Sequence, residues 1–119
     1  ISALIEDLYR RNLEKRIMLV VMGEFGRTPR LSSNSGGVGR NHWPQAYSVL
    51  LSGGGLKTGQ VVGSTNTRGE YPSTRPTTPE DILATVYRHL GIPARHEFID
   101  PTGRPLPVLH SGTPIRELI

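Results

Sequence analysis

The sequence predicts an α/β fold, and three features predict it: a helix running into a buried strand, a second strand-like apolar run, and a later helix with signals at both ends. Residues 2–14 carry Leu4, Ile5, Leu8 and, less regularly, Leu13 along one helical stripe, with charged residues on the other face. Ile17-Met18-Leu19-Val20-Val21-Met22 follows as an unbroken apolar run that ends at Gly23. Continuous rather than alternating hydrophobicity marks a strand covered on both faces, as in a parallel sheet. Helix followed by buried strand is one half of an α/β unit.

The other elements follow in order. Ser2 is placed to cap the first helix. Residues 23–45 lack periodicity and contain Pro29, Gly36, Gly37, Gly39 and Pro44, so they read as one long loop leaving the strand's C-terminal end. Ala46 to Leu51 is the second apolar run, closed by Gly53-Gly54-Gly55. Lys57-Thr58-Gly59 reads as a turn into a short third strand, Gln60-Val61-Val62-Gly63, and residues 64–77 read as polar and irregular. In the second helix Thr78 supplies the cap and Pro79 suits the first position. Glu80 and Asp81 favour the positive end of the helix dipole. Ile82, Leu83, Val86, Tyr87 and Leu90 form the apolar face; Gly91 ends the helix and Pro93 prevents its continuation. Beyond it Asp100-Pro101-Thr102-Gly103 reads as a turn, and Leu106, Val108 and Leu109 as a short strand or an apolar strap.

Composition narrows the function classes. The 119 residues include 14 Gly and 10 Pro, concentrated in long stretches between the apolar segments. Loops of that length are usually functional or packed against something else, which points to a segment of a larger domain. The formal charge of +4 raises the question of nucleic acid. The densest basic group, Arg10, Arg11, Lys15 and Arg16, alternates with Glu6, Asp7 and Glu14, as on a solvated helix face. No nucleic-acid partner is therefore expected. The absence of cysteine excludes disulfides and thiolate metal sites. No apolar run approaches the ~20 residues that a membrane-spanning helix needs.

In an open α/β sheet, ligands gather beyond the carboxyl ends of the strands. Gly23-Glu24-Phe25-Gly26-Arg27-Thr28-Pro29 lies there, and Gly39-Arg40-Asn41-His42-Trp43-Pro44 closes the same loop. A carboxylate (Glu24), two arginines (Arg27, Arg40), an amide (Asn41) and an imidazole (His42) thus converge on one edge. Carboxylate and imidazole suit zinc, manganese or iron. Arginine offers a two-pronged match to phosphate or sulfate oxygens. Duller readings stand beside these: Glu24 as an ion-pair partner of Arg27 or Arg40, His42 as a packed loop histidine, Trp43 as a loop anchor. His89 suits the negative end of the second helix, and His96 and His110 have no ligand set nearby. Gly53-Gly54-Gly55-Leu56-Lys57-Thr58 lacks the Gly-Lys step and the following helix of a phosphate-binding loop. No Gly-x-Ser-x-Gly elbow occurs.

Taken together, Met22-Gly23-Glu24-Phe25-Gly26-Arg27-Thr28-Pro29, Gly39-Arg40-Asn41-His42-Trp43-Pro44 and Ser48-Val49-Leu50-Leu51-Ser52-Gly53-Gly54-Gly55 resemble the domain of unknown function 1501 family, large bacterial proteins often described as sulfatase-like. Arg68-Gly69-Glu70, Thr78-Pro79-Glu80-Asp81 and Asp100-Pro101-Thr102-Gly103-Arg104-Pro105-Leu106-Pro107 resemble its C-terminal portion in the same order. The resemblance implies the alkaline phosphatase superfamily. Residues 1–119 would then be the C-terminal segment of a larger domain. Its fold would be a partial alkaline-phosphatase-like sheet flanked by helices, with long loops at the strand C-terminal edge. It further implies a metal-dependent hydrolase of small anionic phosphate or sulfate esters, exported or periplasmic, completed by the rest of the parent chain and inactive as this segment alone. Glu24 and His42 would bind a divalent metal such as zinc, while Arg27, Arg40 and Asn41 would hold the substrate. Glu24-Phe25 stands where the superfamily carries Asp-His, and Phe25 cannot bind metal. That departure keeps open a non-catalytic relative that binds a ligand or partner through the same site.

Overall fold

The computed structural model describes residues 1–34 and 36–119. It is a mixed α/β structure with two α-helices and several short antiparallel strand pairs. The chain divides into two compact units. A helical unit comprises Ile1–Met18, Ser52–Gln60 and Thr77–Ile119; a hairpin unit comprises Leu19–Leu51 and Val61–Pro76.

In the helical unit, α1 spans Ser2–Arg10 and begins without a side-chain cap, Ser2 lying inside the helix. The helix is four residues shorter than its apolar stripe predicts. Asn12 adopts φ 56°, the Asn12 N–H donates to the Tyr9 carbonyl, and the Leu13 N–H donates to the Leu8 carbonyl. This is a Schellman ending with asparagine in the left-handed position; Leu13, which extends the stripe in sequence, is the residue folded back on Leu8. The second helix, α2 (Pro79–His89), matches its sequence signals closely. Thr78 and Asp81 form a reciprocal capping box. At the other end Gly91, at φ 71°, lets its own N–H reach the Arg88 carbonyl and the Ile92 N–H reach the Tyr87 carbonyl.

Burial in this unit centres on α2. Leu8, Ile82, Ala84 and Ile115 are buried, with Ser52 and Thr85 among them. Thr85 is 1% exposed. Its hydroxyl donates to the Asp81 carbonyl at 2.7 Å and accepts from the Ile115 N–H at 3.0 Å. A second bond, from the Thr113 N–H to the Asp81 carboxylate at 2.8 Å, fixes the same segment along the helix. The segment ends in a 3₁₀ turn, Arg116–Leu118, whose Leu118 carbonyl accepts from the Lys57 N–H. Of the strand or strap expected at Leu106, Val108 and Leu109, only Leu106 lies in a strand: β10 (Pro105–Pro107) pairs antiparallel with β9 (Glu97–Ile99). The predicted turn at Asp100 joins them, its carboxylate accepting from the backbone N–H groups of Thr102 and Arg104.

The first apolar run forms the half-buried strand β1 (Met18–Val21), which pairs with β6 (Leu50–Gly53). The Gly54 N–H donates to the Ile17 carbonyl, so the end of β6 meets the start of β1 and the two run in opposite directions. The unbroken apolar run predicts a strand covered on both faces, yet every residue of β1 is only half-buried, and the run carries no information about the partner's direction. The parallel sheet expected from that run is therefore corrected.

The hairpin unit corrects the loop reading. Strands β2 (Gly26–Arg27) and β5 (His42–Trp43) pair antiparallel, as do β3 (Ser32–Asn34) and β4 (Gly37–Gly39). Residues 26–34 and 36–43 are thus the two sides of a long antiparallel hairpin arm. Between the two strand pairs Thr28 and Asn41 form a further rung, with Thr28 N–H to Asn41 O at 2.9 Å and Asn41 N–H to Thr28 Oγ1 at 3.1 Å. Three residues, Pro29, Arg30 and Leu31, then face the single Arg40 across the arm. This bulge hides the pairing from a sequence pattern. The expected strand at 60–63 does not form. Val61 is 93% exposed, and pairing begins at β7 (Ser64–Thr65), which joins β8 (Pro72–Thr74) in a hairpin where an irregular segment was expected.

Candidate functional site

The arm places its side chains by strand alternation. Arg27 and His42 are direct cross-strand partners, so their side chains leave the same face. Phe25, two residues before Arg27, shares that face. Its ring lies 4.1 Å from the His42 ring at an interplanar angle of 36°, and the Arg27 guanidinium carbon lies 5.7 Å from its centroid. An arginine, a phenyl ring and an imidazole are thereby assembled in one stack, with Arg27 and His42 exposed. The stack leaves a cationic fork beside an imidazole edge, groups suited to binding an oxyanion and to holding a proton or a metal.

The opposite face anchors the arm. Gly26 pairs with Trp43, and the chain after Trp43 folds back so that the Ala46 carbonyl sits where any Cβ on Gly26 would project. Only glycine fits such a close backbone approach. The Trp43 indole N–H donates to the Glu70 carbonyl at 2.6 Å, and its ring lies 5.7 Å from Tyr71. Those two residues belong to the turn that closes β7 and β8. There the Asn66 carboxamide accepts from the Glu70 N–H at 2.8 Å and the Asn66 N–H donates to Tyr71 O. Trp43 is the loop anchor that the duller reading of the sequence describes.

The remaining predicted residues divide. Glu24 is exposed next to Phe25 and makes no ion pair among the described residues, so it does not pin the arm to Arg27 or Arg40. Arg40 is exposed opposite the bulge, away from the Arg27–His42 rung. Asn41 works inside the arm: its carboxamide donates to Ser32 Oγ at 3.3 Å, besides its backbone bonds to Thr28. Sequence reasoning overlooked Phe25 as a contact of His42 and Arg30 as the bulge's own cation; the only signal for Arg30 was the run of Thr28-Pro29-Arg30 between paired segments. Among the described residues no group of three or more His, Cys, Asp or Glu is placed to hold a metal. Glu24 and His42, the two expected ligands, would amount to only two donors of the four that zinc usually takes. Residues outside this set would have to complete such a site.

Fold and site together define a mixed α/β domain with a cationic, aromatic hairpin arm. The chain belongs to the family described as "Protein of unknown function (DUF1501)", whose model matches residues 1–119. No curated protein and no solved structure matches the chain.

Proposed function

We propose that residues 1–119 are the C-terminal segment of a larger, sulfatase-like domain of alkaline-phosphatase type, and that the intact protein hydrolyses phosphate or sulfate esters with a divalent metal. The observation that carries this reading is the stack of exposed Arg27 and His42 with half-buried Phe25 on one face of a hydrogen-bonded arm. In this reading Arg27 holds two oxygens of the ester's anionic group. Its cross-strand register with His42 brings the imidazole beside the bound anion, and Arg40 adds positive charge further along the arm. Asn41 acts as a positioning residue, keeping the two sides of the arm together through Thr28 and Ser32. Glu24 and His42 would contribute donors to an ion such as zinc, which supplies Lewis-acid polarisation of the ester and an activated water or hydroxyl nucleophile.

The test uses the intact protein with model phosphate and sulfate esters. Turnover should depend on added metal and fall about 100-fold in Arg27→Ala, a typical loss for one stabilising group of a transition-state anion. Metal content should fall in His42→Ala. Residues 1–119 alone should turn over neither ester, because the proposal puts the nucleophile outside them; metal-dependent turnover by this segment would sink the reading. A second reading, a non-catalytic relative that binds a ligand through the same face, is favoured by Phe25. Its ring packs on His42 from the position where the resemblance expects a metal-binding histidine. Undiminished ligand binding by the metal-free intact protein, with no turnover of either ester, would select that reading.

A further inference from the structure

The charge of the molecule is unevenly divided. The hairpin unit holds five arginines (27, 30, 40, 68 and 75) against two glutamates (24 and 70); five less two leaves +3 of the chain's +4. Every Lys or Arg position in this unit is arginine, whereas the chain's two lysines, Lys15 and Lys57, lie in the helical unit. No acidic residue occurs from position 25 through 69. Three of the arginines, Arg27, Arg30 and Arg40, lie on the arm, are exposed, and form no ion pair among the described residues.

The hairpin register sorts these three into two places. Arg27 sits on the rung with His42. Arg30 and Arg40 sit on opposite sides of the bulge, enclosed between the Thr28–Asn41 bonds and the Ser32–Gly39 rung. The bulge is held in shape by its own hydrogen bond, from the Thr28 hydroxyl to the Arg30 carbonyl at 2.9 Å. At roughly 3.3 Å of rise per residue, the bulge begins within about 10 Å of the Arg27 rung. Arg30 and Arg40 thus offer two exposed guanidinium forks from facing segments of one bulge, a few residues from the Arg27 rung. Arginine suits oxyanion binding because its planar fork pairs two oxygens at once and is weakly hydrated.

We propose that the arm binds ligands carrying at least two sulfate or phosphate groups, the reacting group at Arg27 and His42 and a second, non-reacting group at Arg30 and Arg40. This rests on the reading of the Arg27–His42 face given above and adds to it the class of substrate: a multiply charged ester. Arg30 and Arg40 are specificity residues on this assignment.

Binding is measured on the intact protein with two matched pairs of probes. One pair is a disaccharide carrying one or two sulfate groups; the other is a hexose carrying one or two phosphate groups. The doubly charged member of at least one pair should bind about fivefold or more tightly than its singly charged partner, the gain expected from an added exposed charge-assisted pair. Which pair shows the larger gain distinguishes sulfate from phosphate esters. Arg30→Ala should remove most of that gain and leave the singly charged probe unchanged, Arg40→Ala should also remove most of the gain, and Arg27→Ala should weaken both members of a pair. Arg30→Lys keeps the charge and should restore only part of the gain. Equal binding of singly and doubly charged probes, or equal losses for both on Arg30→Ala, overturns the second subsite. Loss of discrimination in Arg30→Ala with no effect of Arg27→Ala on either probe leaves the second subsite standing and overturns the Arg27–His42 reading beneath it.

Discussion

Leu8, Ile82, Ala84 and Ile115, the buried apolar side chains, all belong to the helical unit, whereas no described side chain of the hairpin unit is buried. The helical unit is organised around α2 and the chain segment strapped to it by Thr85. The hairpin unit is organised by backbone rungs, one anchored indole and polar turns, and its exposed face carries most of the net charge. Connecting segments displayed on a firmer scaffold are where binding residues commonly lie, because such segments can present polar and charged groups without having to bury them. The hairpin unit presents polar and charged groups in this way, on connections more ordered than their composition suggests.

The contrast can be broken most forcefully in the helical unit. Ile115, 3% exposed, lies in the segment strapped to α2, and Ile115→Ala should destabilise the fold by about 3 kcal/mol through lost burial and the cavity left behind. A denaturant midpoint shift well under that would mean that the strap is not part of the core. A smaller effect is expected where burial is replaced by close backbone approach. Gly26→Ala should cost about 1–3 kcal/mol, because its methyl group would meet the Ala46 carbonyl and the chain must shift. Faster amide exchange at Thr28 and Asn41, whose bonds hold the middle of the arm, checks this. Unchanged exchange there would remove the argument that glycine is required.

The smallest effect concerns acid, and it falls in the helical unit. The Asp100 carboxyl is held below its usual 3.8, first by the Thr102 hydroxyl, then by the Arg104 and Thr102 backbone N–H groups and the Arg104 side chain. The unfolded chain therefore takes up the proton before the folded turn does. The stabilisation from this turn is complete above pH 3.8 and is lost as the pH falls from 3.8 toward the lower folded value. A chemical-shift titration of Asp100 should give a midpoint below 3.8, and Asp100→Asn should flatten this part of the stability profile. A midpoint at or above 3.8 would contradict it.

Legibility in the sequence follows the range of the physics. α2 was readable because its signals are local: Thr78, Pro79, Asp81 and Gly91 each act within one turn. The start of α1 was found from its apolar stripe, although the expected cap Ser2 lies inside the helix and caps nothing, and the end of α1 was not readable. Asn12 stops the helix while Leu13 continues the apolar stripe, so the pattern outruns the structure. The strand at Met18–Val21 was visible from its apolar run, but neither its partial exposure nor its direction relative to β6 was. The arm was the largest omission. Its rungs join residues 26 to 43 and 32 to 39 across a bulge, and neither end shows the alternation that marks a half-buried strand. The candidate residues Arg27 and His42 were found by type and position, while their contact through Phe25 depends on that hidden register.

The anchoring of Trp43 has an optical consequence. It is the chain's one tryptophan and lies in the hairpin unit, its indole hydrogen-bonded to a backbone carbonyl, while both α-helices lie in the helical unit. Indole emission therefore follows the anchoring of the arm, and the far-ultraviolet ellipticity of the helices follows the other unit. Each half of this molecule carries its own spectroscopic signal, without any label being added.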